Sequence, residues 1–168
     1  MLDTNTLGYI YDNKIDLVPK LKNFYKRNIH LYITPIQQDE INKMADAYKK
    51  NCMNKIISTI GIKRVLTSCT TIGIDELSKH GLVGSDIGMY EIVDDNVDLP
   101  ILKKLQRYTI SNPMGNTADL SILYTAIKKK MHYLITDNIS DFGPMLNQIS
   151  KSIPTSLQVQ KNNFLDFL

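Results

Sequence analysis

The sequence predicts an α/β protein: a three-layer α/β/α arrangement with a central parallel sheet of four to five strands. Three observations lead there. Short runs rich in β-branched and aromatic residues alternate with longer runs whose apolar residues recur at helical spacing, and such alternation favours parallel strands covered on both faces by helices. No repeat, low-complexity tract or linker interrupts the pattern. The length, 168 residues, suits a single domain over 1–168, with a helical insert at roughly 73–111.

Met1–Asp3 reads as a very short first strand. In KIDLVPKLKNFYK, Ile15, Val18, Leu21 and Phe24 or Tyr25 fall on one helical face. IHLYIT, residues 29–34, is β-branched and aromatic and reads as a strand. Thr34 followed by Pro35 is a cap with proline at the first helical position. Ile41, Met44 or Ala45, Tyr48, Cys52 and Ile56 then carry one helix to about Ile60. RVLTSC, residues 64–69, is a further strand candidate. Short helices joined by glycines, including GIDELSKHG and DLPILKKLQRY, fill the insert. Pro113 and Gly115 mark a loop before a helix capped by Asn116 or Thr117, with Ala118, Ile122, Thr125 and Ala126 as its buried stripe. HYLITD is a strand, SDFGPMLNQI a short helix, PTSLQV the last strand and NNFLDFL a short closing helix.

Composition removes several classes. No apolar run approaches the ~18 residues that would cross a membrane. The opening MLDTNTLGY lacks the basic-then-apolar order of an export signal. Cys52 and Cys69 have no metal-type spacing and read as reduced, buried thiols, and His30, His80 and His132 are too scattered for a zinc site. These features predict a cytoplasmic protein. A net charge of +3 is too small to argue for nucleic acid by itself. Gly81, Gly84 and Gly88 form no phosphate-binding fingerprint, which disfavours a nucleotide-binding fold.

The acids carry the functional argument. Asp3 follows the first strand, and Glu40 lies in the second turn of the helix after the second strand. Asp119 is in the first turn of the late helix, Asp137 is just past its strand, and Asp141 is one turn further on. In a parallel sheet, strands arrive at one edge by their C-termini and helices leave it by their N-termini, and ligands bind along that edge. Carboxylates gathered there repel one another unless a cation intervenes. Mg²⁺ or Mn²⁺ takes oxygen ligands, keeps waters and joins carboxylates to phosphates. Taken singly, each acid also fits a plainer role: Asp119 as a charge at a helix N-terminus, Glu40 as a solvated residue, Asp137 and Asp141 as turn or cap residues. The coincidence of all of them on one edge is what argues for a site.

The stretches LDTN (Leu2–Asn5), YITPIQQDEI (Tyr32–Ile41), ADLSILYTA (Ala118–Ala126) and LITDNISDF (Leu134–Phe142) resemble, in this order, the PIN-domain family. That family comprises metal-dependent ribonucleases and includes VapC-type toxins. The closing VQKNNFLDFL is similar to its last strand and short helix, so the likeness spans nearly the whole chain. The resemblance implies that Asp3, Glu40 and Asp119 take the first three acidic positions and Thr136 the hydroxyl position. Counting from Asp119 makes Asp137 the fourth acid; aligning on Thr136 puts Asn138 at that step, with Asp141 before Phe142. Asn5 takes an orienting role, as do Thr136 and Asn138.

The implied activity is hydrolysis of RNA phosphodiesters with one or two Mg²⁺ or Mn²⁺ ions, one held by Asp3 and Asp119 with help from Asp137, a second near Glu40. Lys49, Lys50, Lys55, Lys103, Lys104 and Arg107 are candidate RNA contacts on the rim, with Tyr48 and Tyr108 as stacking platforms. Lys128–Lys130 fall at the far end of their helix, where basic residues suit the dipole. The family's toxins pair with an antitoxin protein and form homodimers, so both partners are implied. Two rivals remain. A haloacid-dehalogenase-like phosphatase would also place an Asp after the first strand, but it carries a second Asp where this chain has Asn5. A non-catalytic PIN-like scaffold would bind RNA or protein without cutting.

Overall fold

The computed structural model describes residues 1–65, 67–70, 90–92, 117–151 and 153–167. In chain order these form α1 (Thr4–Asp12), α2 (Lys14–Lys22), a 3₁₀ turn (Phe24–Arg27), β1 (Tyr32–Ile33), α3 (Pro35–Asn42), α4 (Ala47–Ile60), β2 (Lys63–Arg64), β3 (Thr67–Thr70), β4 (Tyr90–Ile92), α5 (Thr117–Lys128), β5 (Tyr133–Ile135), α6 (Ile139–Ser150), β6 (Gln158–Gln160) and α7 (Phe164–Phe167). The chain divides into two compact units. The first comprises Met1–Val65, Tyr133–Asn138 and Val159–Leu168; the second comprises Leu66–His132 and Ile139–Gln158.

The first unit is organised around the Met1–Asp3 segment. Leu2 bridges Ile135 in parallel, with Asp3 N–H donating to Ile135 O at 3.0 Å and Ile135 N–H to Met1 O at 3.0 Å. On its other side, Leu2 N–H donates to Tyr32 O at 2.8 Å. β1 pairs in parallel with β2, Tyr32 opposite Lys63 and Ile33 opposite Arg64. β5 pairs with β6, and the bonds Gln158 N–H to His132 O and Thr136 N–H to Gln160 O follow the parallel pattern. The strands are thus assigned as two-stranded sheets, and a single central sheet of four to five strands is not shown. A physical reason is visible beside Leu2. The rung that Thr34 N–H and Leu2 O would share is taken by the Gln37 side chain: its oxygen accepts from Thr34 N–H and its Nε2 donates to Leu2 O at 2.5 Å.

Apolar side chains from every layer of this unit close one core: Leu2, Leu7, Ile10, Leu17, Leu21, Phe24, Ile33, Ile41, Met53, Ile57, Ile135 and Leu165 among them. Truncating a side chain as buried as Leu2 or Ile33 to alanine would cost ~2–5 kcal/mol.

Helix boundaries differ from expectation in three informative places. α1 was not anticipated; the Asp3 carboxylate starts it by accepting from Thr4 N–H at 2.8 Å. In α2 the buried residues are Leu17 and Leu21, continued by Phe24, whereas Ile15 is 82% exposed. The helix expected from Pro35 to Ile60 is two helices. Asp46 starts the second by accepting from Lys49 N–H, and the break resets the helical phase. Met53, Ile56, Ile57 and Ile60 therefore face the core while Tyr48 is 70% exposed. Gly61, at φ +78°, ends α4 in the left-handed conformation that glycine adopts without strain.

In the second unit, β3 pairs in parallel with β4, and α5 packs on β3 and α6. α5 is buried from Leu120 to Ile127, a wider face than the predicted stripe, and Ala118 is only half-buried. α6 buries Phe142, Met145 and Ile149. Within the expected helical insert, Tyr90–Ile92 is the strand β4 and the remaining positions lie outside the described residues. Cys52 is a free, half-buried thiol rather than a fully buried one. Among the described residues, no helix is long and apolar enough to cross a membrane.

Candidate functional site: carboxylates around the first strand

Asp3 is the centre of the site. It is 6% exposed, because the residue before it is locked between β1 and β5 and the residue after it opens α1. Its Oδ1 accepts from Thr4 N–H at 2.8 Å; its Oδ2 accepts from Asn5 Nδ2 at 2.7 Å and from Thr136 Oγ1 at 2.7 Å. Burial pushes its pKa up, the Thr136 hydroxyl and Thr4 N–H oppose that rise, and the nearby Asp137 carboxylate adds to it.

Asn5 and Thr136 form the frame. Asn5 Nδ2 also reaches Thr136 Oγ1 at 3.1 Å, and Asn5 Oδ1 accepts from Asp137 N–H at 3.0 Å. Thr136 Oγ1 accepts from Asn138 N–H at 2.9 Å, so a buried hydroxyl ties the end of β5 to Asp3. Asn5 and Thr136, for which orienting roles are expected, both contact Asp3, and Asn138 contributes its backbone N–H.

Glu40 joins through Thr4, whose hydroxyl donates to Glu40 Oε2. As a whole residue Glu40 is exposed, yet withdrawal of its carboxyl group from water is the first cause raising its pKa. The Thr4 bond counters that rise, Asp3 adds to it by like-charge repulsion, and Lys43 lowers it. Asp137 is exposed and turned to the C-terminal segment. Asn162 Nδ2 donates to its Oδ2 at 2.6 Å, and Asn162 N–H approaches its Oδ1 at 3.5 Å.

The first unit therefore brings together Asp3, Asn5, Thr136, Asp137 and Asn138, with Glu40 one hydroxyl away. Asp119 and Asp141 belong to the second unit, each half-buried in the first turn of its helix, α5 and α6. Three participants were not singled out from sequence: Thr4, Thr6 and Asn162. Thr6 is fully buried, and its hydroxyl lies 2.6 Å from both Ile135 O and Asn162 Oδ1, either of which can take its one proton. The signal for Thr4 and Thr6 was their place on either side of Asn5 behind Asp3; for Asn162 it was an Asn-Asn pair before the closing apolar helix.

A carboxylate offers about four acceptor sites. Three donors engage Asp3, two of them on Oδ2, so Oδ1 retains capacity, as does Glu40 with its one donor. These are hard oxygen donors of the kind Mg²⁺ and Mn²⁺ accept. Among the described residues, no three His, Cys, Asp or Glu side chains stand close enough to hold a metal by themselves.

On the rim, Lys49 Nζ lies 5.3 Å from the Tyr11 ring centre and Lys50 Nζ donates to Asn42 O at 2.9 Å, so both lysines already have partners within the protein. Lys55 is exposed. Lys103, Lys104, Arg107 and Tyr108 lie outside the described residues. Lys128 occupies the last turn of α5, the favourable end for a basic residue. No family model, curated protein or solved structure matches this chain.

Proposed function

We propose that this chain is a PIN-like ribonuclease that hydrolyses RNA phosphodiester bonds with the aid of Mg²⁺ or Mn²⁺. One observation carries the reading. Asp3 is a buried carboxylate at the end of the central segment, fixed by three donors, and the charges raising the pKa values of Asp3 and Glu40 are carboxylates. Such an arrangement costs stability unless a cation is held there. Asp3 and Glu40, both in the first unit, keep acceptor capacity to spare. When bound, a divalent cation supplies charge neutralisation for the phosphate and a water of lowered pKa. Asn5 and Thr136 hold Asp3 in one orientation, and Thr4 holds Glu40 beside it.

The wider fold supports the same reading. β2, β1, Met1–Asp3, β5 and β6 follow one another through the hydrogen bonds given above, and we read them as one parallel sheet in which Gln37 replaces a missing rung. Asp3, Asp137 and the start of α3 then share the C-terminal edge, where ligands bind in parallel sheets.

The scaffold reading is favoured by one specific feature: among the described residues no three potential metal ligands cluster. One experiment separates the readings. The protein is incubated with mixed RNA and single-stranded DNA, with Mn²⁺ or with a chelator, beside Asp3→Asn and Asp119→Asn. Mn²⁺-dependent RNA cleavage lost in both variants is the expected result. RNA bound but left intact would replace the nuclease with the scaffold. Hydrolysis of a small phosphoester without nuclease activity would favour the phosphatase.

A further inference from the structure

Asp137 is exposed, yet its carboxylate is held by a buried side chain. Both carboxylate oxygens of Asp137 face one residue, Asn162, through the side-chain amide at 2.6 Å and the backbone N–H at 3.5 Å. Asn162 is 1% exposed, and its own oxygen accepts from the buried Thr6 hydroxyl at 2.6 Å. Thr6 reaches Ile135 O, and Asn5 accepts from Asp137 N–H. Asp137 is therefore gripped at its backbone from the α1 side and at its carboxylate from the C-terminal segment. An exposed turn aspartate needs no such clamp. A buried amide directed at one carboxylate keeps a single rotamer in a residue that would otherwise sample several.

We propose that Asn162 is the positioning residue of the site: it fixes Asp137 as an oriented carboxylate beside Asp3. The inference rests on the ribonuclease reading. It assigns a role to the C-terminal segment, whose last strand and helix would otherwise serve packing alone.

The test is a double-mutant cycle on wild type, Asn162→Ala, Asp137→Ala and the double variant, read in two ways: melting temperature without metal, and kcat and KM for Mn²⁺-dependent cleavage of single-stranded RNA. Asn162→Ala is expected to lower kcat ~10–100-fold with KM little changed, the usual scale for residues that orient a metal site's ligands. In the Asp137→Ala background the same substitution is expected to add almost nothing. Because Asn162→Ala also removes one of the two acceptors beside the Thr6 hydroxyl, a second pair guards against simple unfolding. Asn162→Asp alone sets two carboxylates face to face and is expected to lower the melting temperature. Combined with Asp137→Asn it exchanges donor and acceptor, and is expected to restore the melting temperature while kcat stays low. Additive effects in the cycle, or a swap that restores kcat as well, would overturn the inference and leave the ribonuclease reading intact. Wild-type protein without Mn²⁺-dependent cleavage would bring down that reading and this inference with it.

Discussion

The two flanks of the Met1–Asp3 segment are both polar, yet they are built on opposite principles. Toward β5 and the C-terminal segment lie Asp3, Thr136, Asp137 and Asn162, where amides and hydroxyls are arranged around carboxylates. Toward β1 and α3 lie Gln37, Gln38, Asn54 and Arg64. There Gln37 replaces a backbone rung, and Gln38 donates to Asn54 Oδ1 at 2.8 Å while accepting from Arg64 at 2.9 Å. The amides of the second flank bond to one another, to Arg64 and to the backbone, while the Thr34 hydroxyl beside them is buried without a partner. The acid flank gathers negative charge in a region withdrawn from water, and Asp3 and Glu40 respond with raised pKa values. Polarity is common to both flanks; the like-charge neighbours of Asp3, namely Asp137 and Glu40, set the acid flank apart.

The largest expected effect breaks the acid flank at its centre. Asp3→Asn removes the charge but keeps the shape, and several kcal/mol of charge stabilisation are at stake where a metal assists catalysis. Cleavage is expected to fall ~10²–10³-fold, at about 1.4 kcal/mol per factor of ten. Single-turnover cleavage of labelled RNA measures it, and near-normal rates in this variant would remove Asp3 from the chemistry.

The next effect concerns stability and pH. In metal-free protein Asp3 and Glu40 hold their protons more tightly than the unfolded chain does, since both pKa values lie above the ordinary 3.8 and 4.5. Wherever the folded state binds more protons, stability falls as pH rises. These two groups therefore penalise the fold least below their ordinary values, and the full penalty is present above their raised ones. Thermal melts in chelator are expected to show this decline, and Asp3→Asn should flatten part of it. Mn²⁺ should raise the melting temperature at pH 7.5 and much less at pH 5, where protons compete for the same oxygens. A metal effect independent of pH would disconnect the cation from these carboxylates.

The amide flank should behave differently. Gln38 is 5% exposed, and Gln38→Leu would strand Asn54 and Arg64 without their partner. Loss of a buried hydrogen-bonding partner costs ~1–3 kcal/mol. Denaturant melts are expected to show that loss while kcat for RNA cleavage stays within about twofold of wild type. A large fall in kcat at full folding would mean the two flanks are coupled.

How far the sequence discloses this contrast differs between the flanks. Asp3, Asn5, Thr136 and Asp137 were legible because charge and hydroxyl fell just past strand runs, where topology gives position. Parallel pairing could be read as well, since alternating strand and helix runs favour it, but strand order could not. Glu40 was legible as an acid but not its link through Thr4, because α1 went unrecognised: TNTLGYIYD is short, buries Thr6 beside Leu7 and Ile10, and is started by the Asp3 cap. The amide flank was invisible. A glutamine that substitutes for a β-rung looks like any other helical glutamine, and only the paths of Leu2 and Thr34 around it give it that task. The break at Asp46 was missed because apolar residues continue at nearly helical spacing across it, and one capping side chain outweighed them. Asn162 escaped notice for a related reason: its value lies in partners more than 20 residues away along the chain.

The smallest effect lies outside both flanks, on the rim. Lys49 stands against the Tyr11 ring and Lys50 donates to Asn42 O, so each has a structural task that competes with any contact to phosphate. If RNA crosses this face, Lys49→Ala should raise KM a few-fold and leave kcat alone, because a phosphate contact positions the strand without touching the reacting bond. The diagnostic is salt. Removing one phosphate contact lowers the slope of log affinity against log salt by about one. Filter-binding titrations of catalytically silent Asp3→Asn protein, with and without Lys49→Ala, measure that slope directly. An unchanged slope together with a lower melting temperature would assign Lys49 to packing against Tyr11 and move the RNA path elsewhere on the surface.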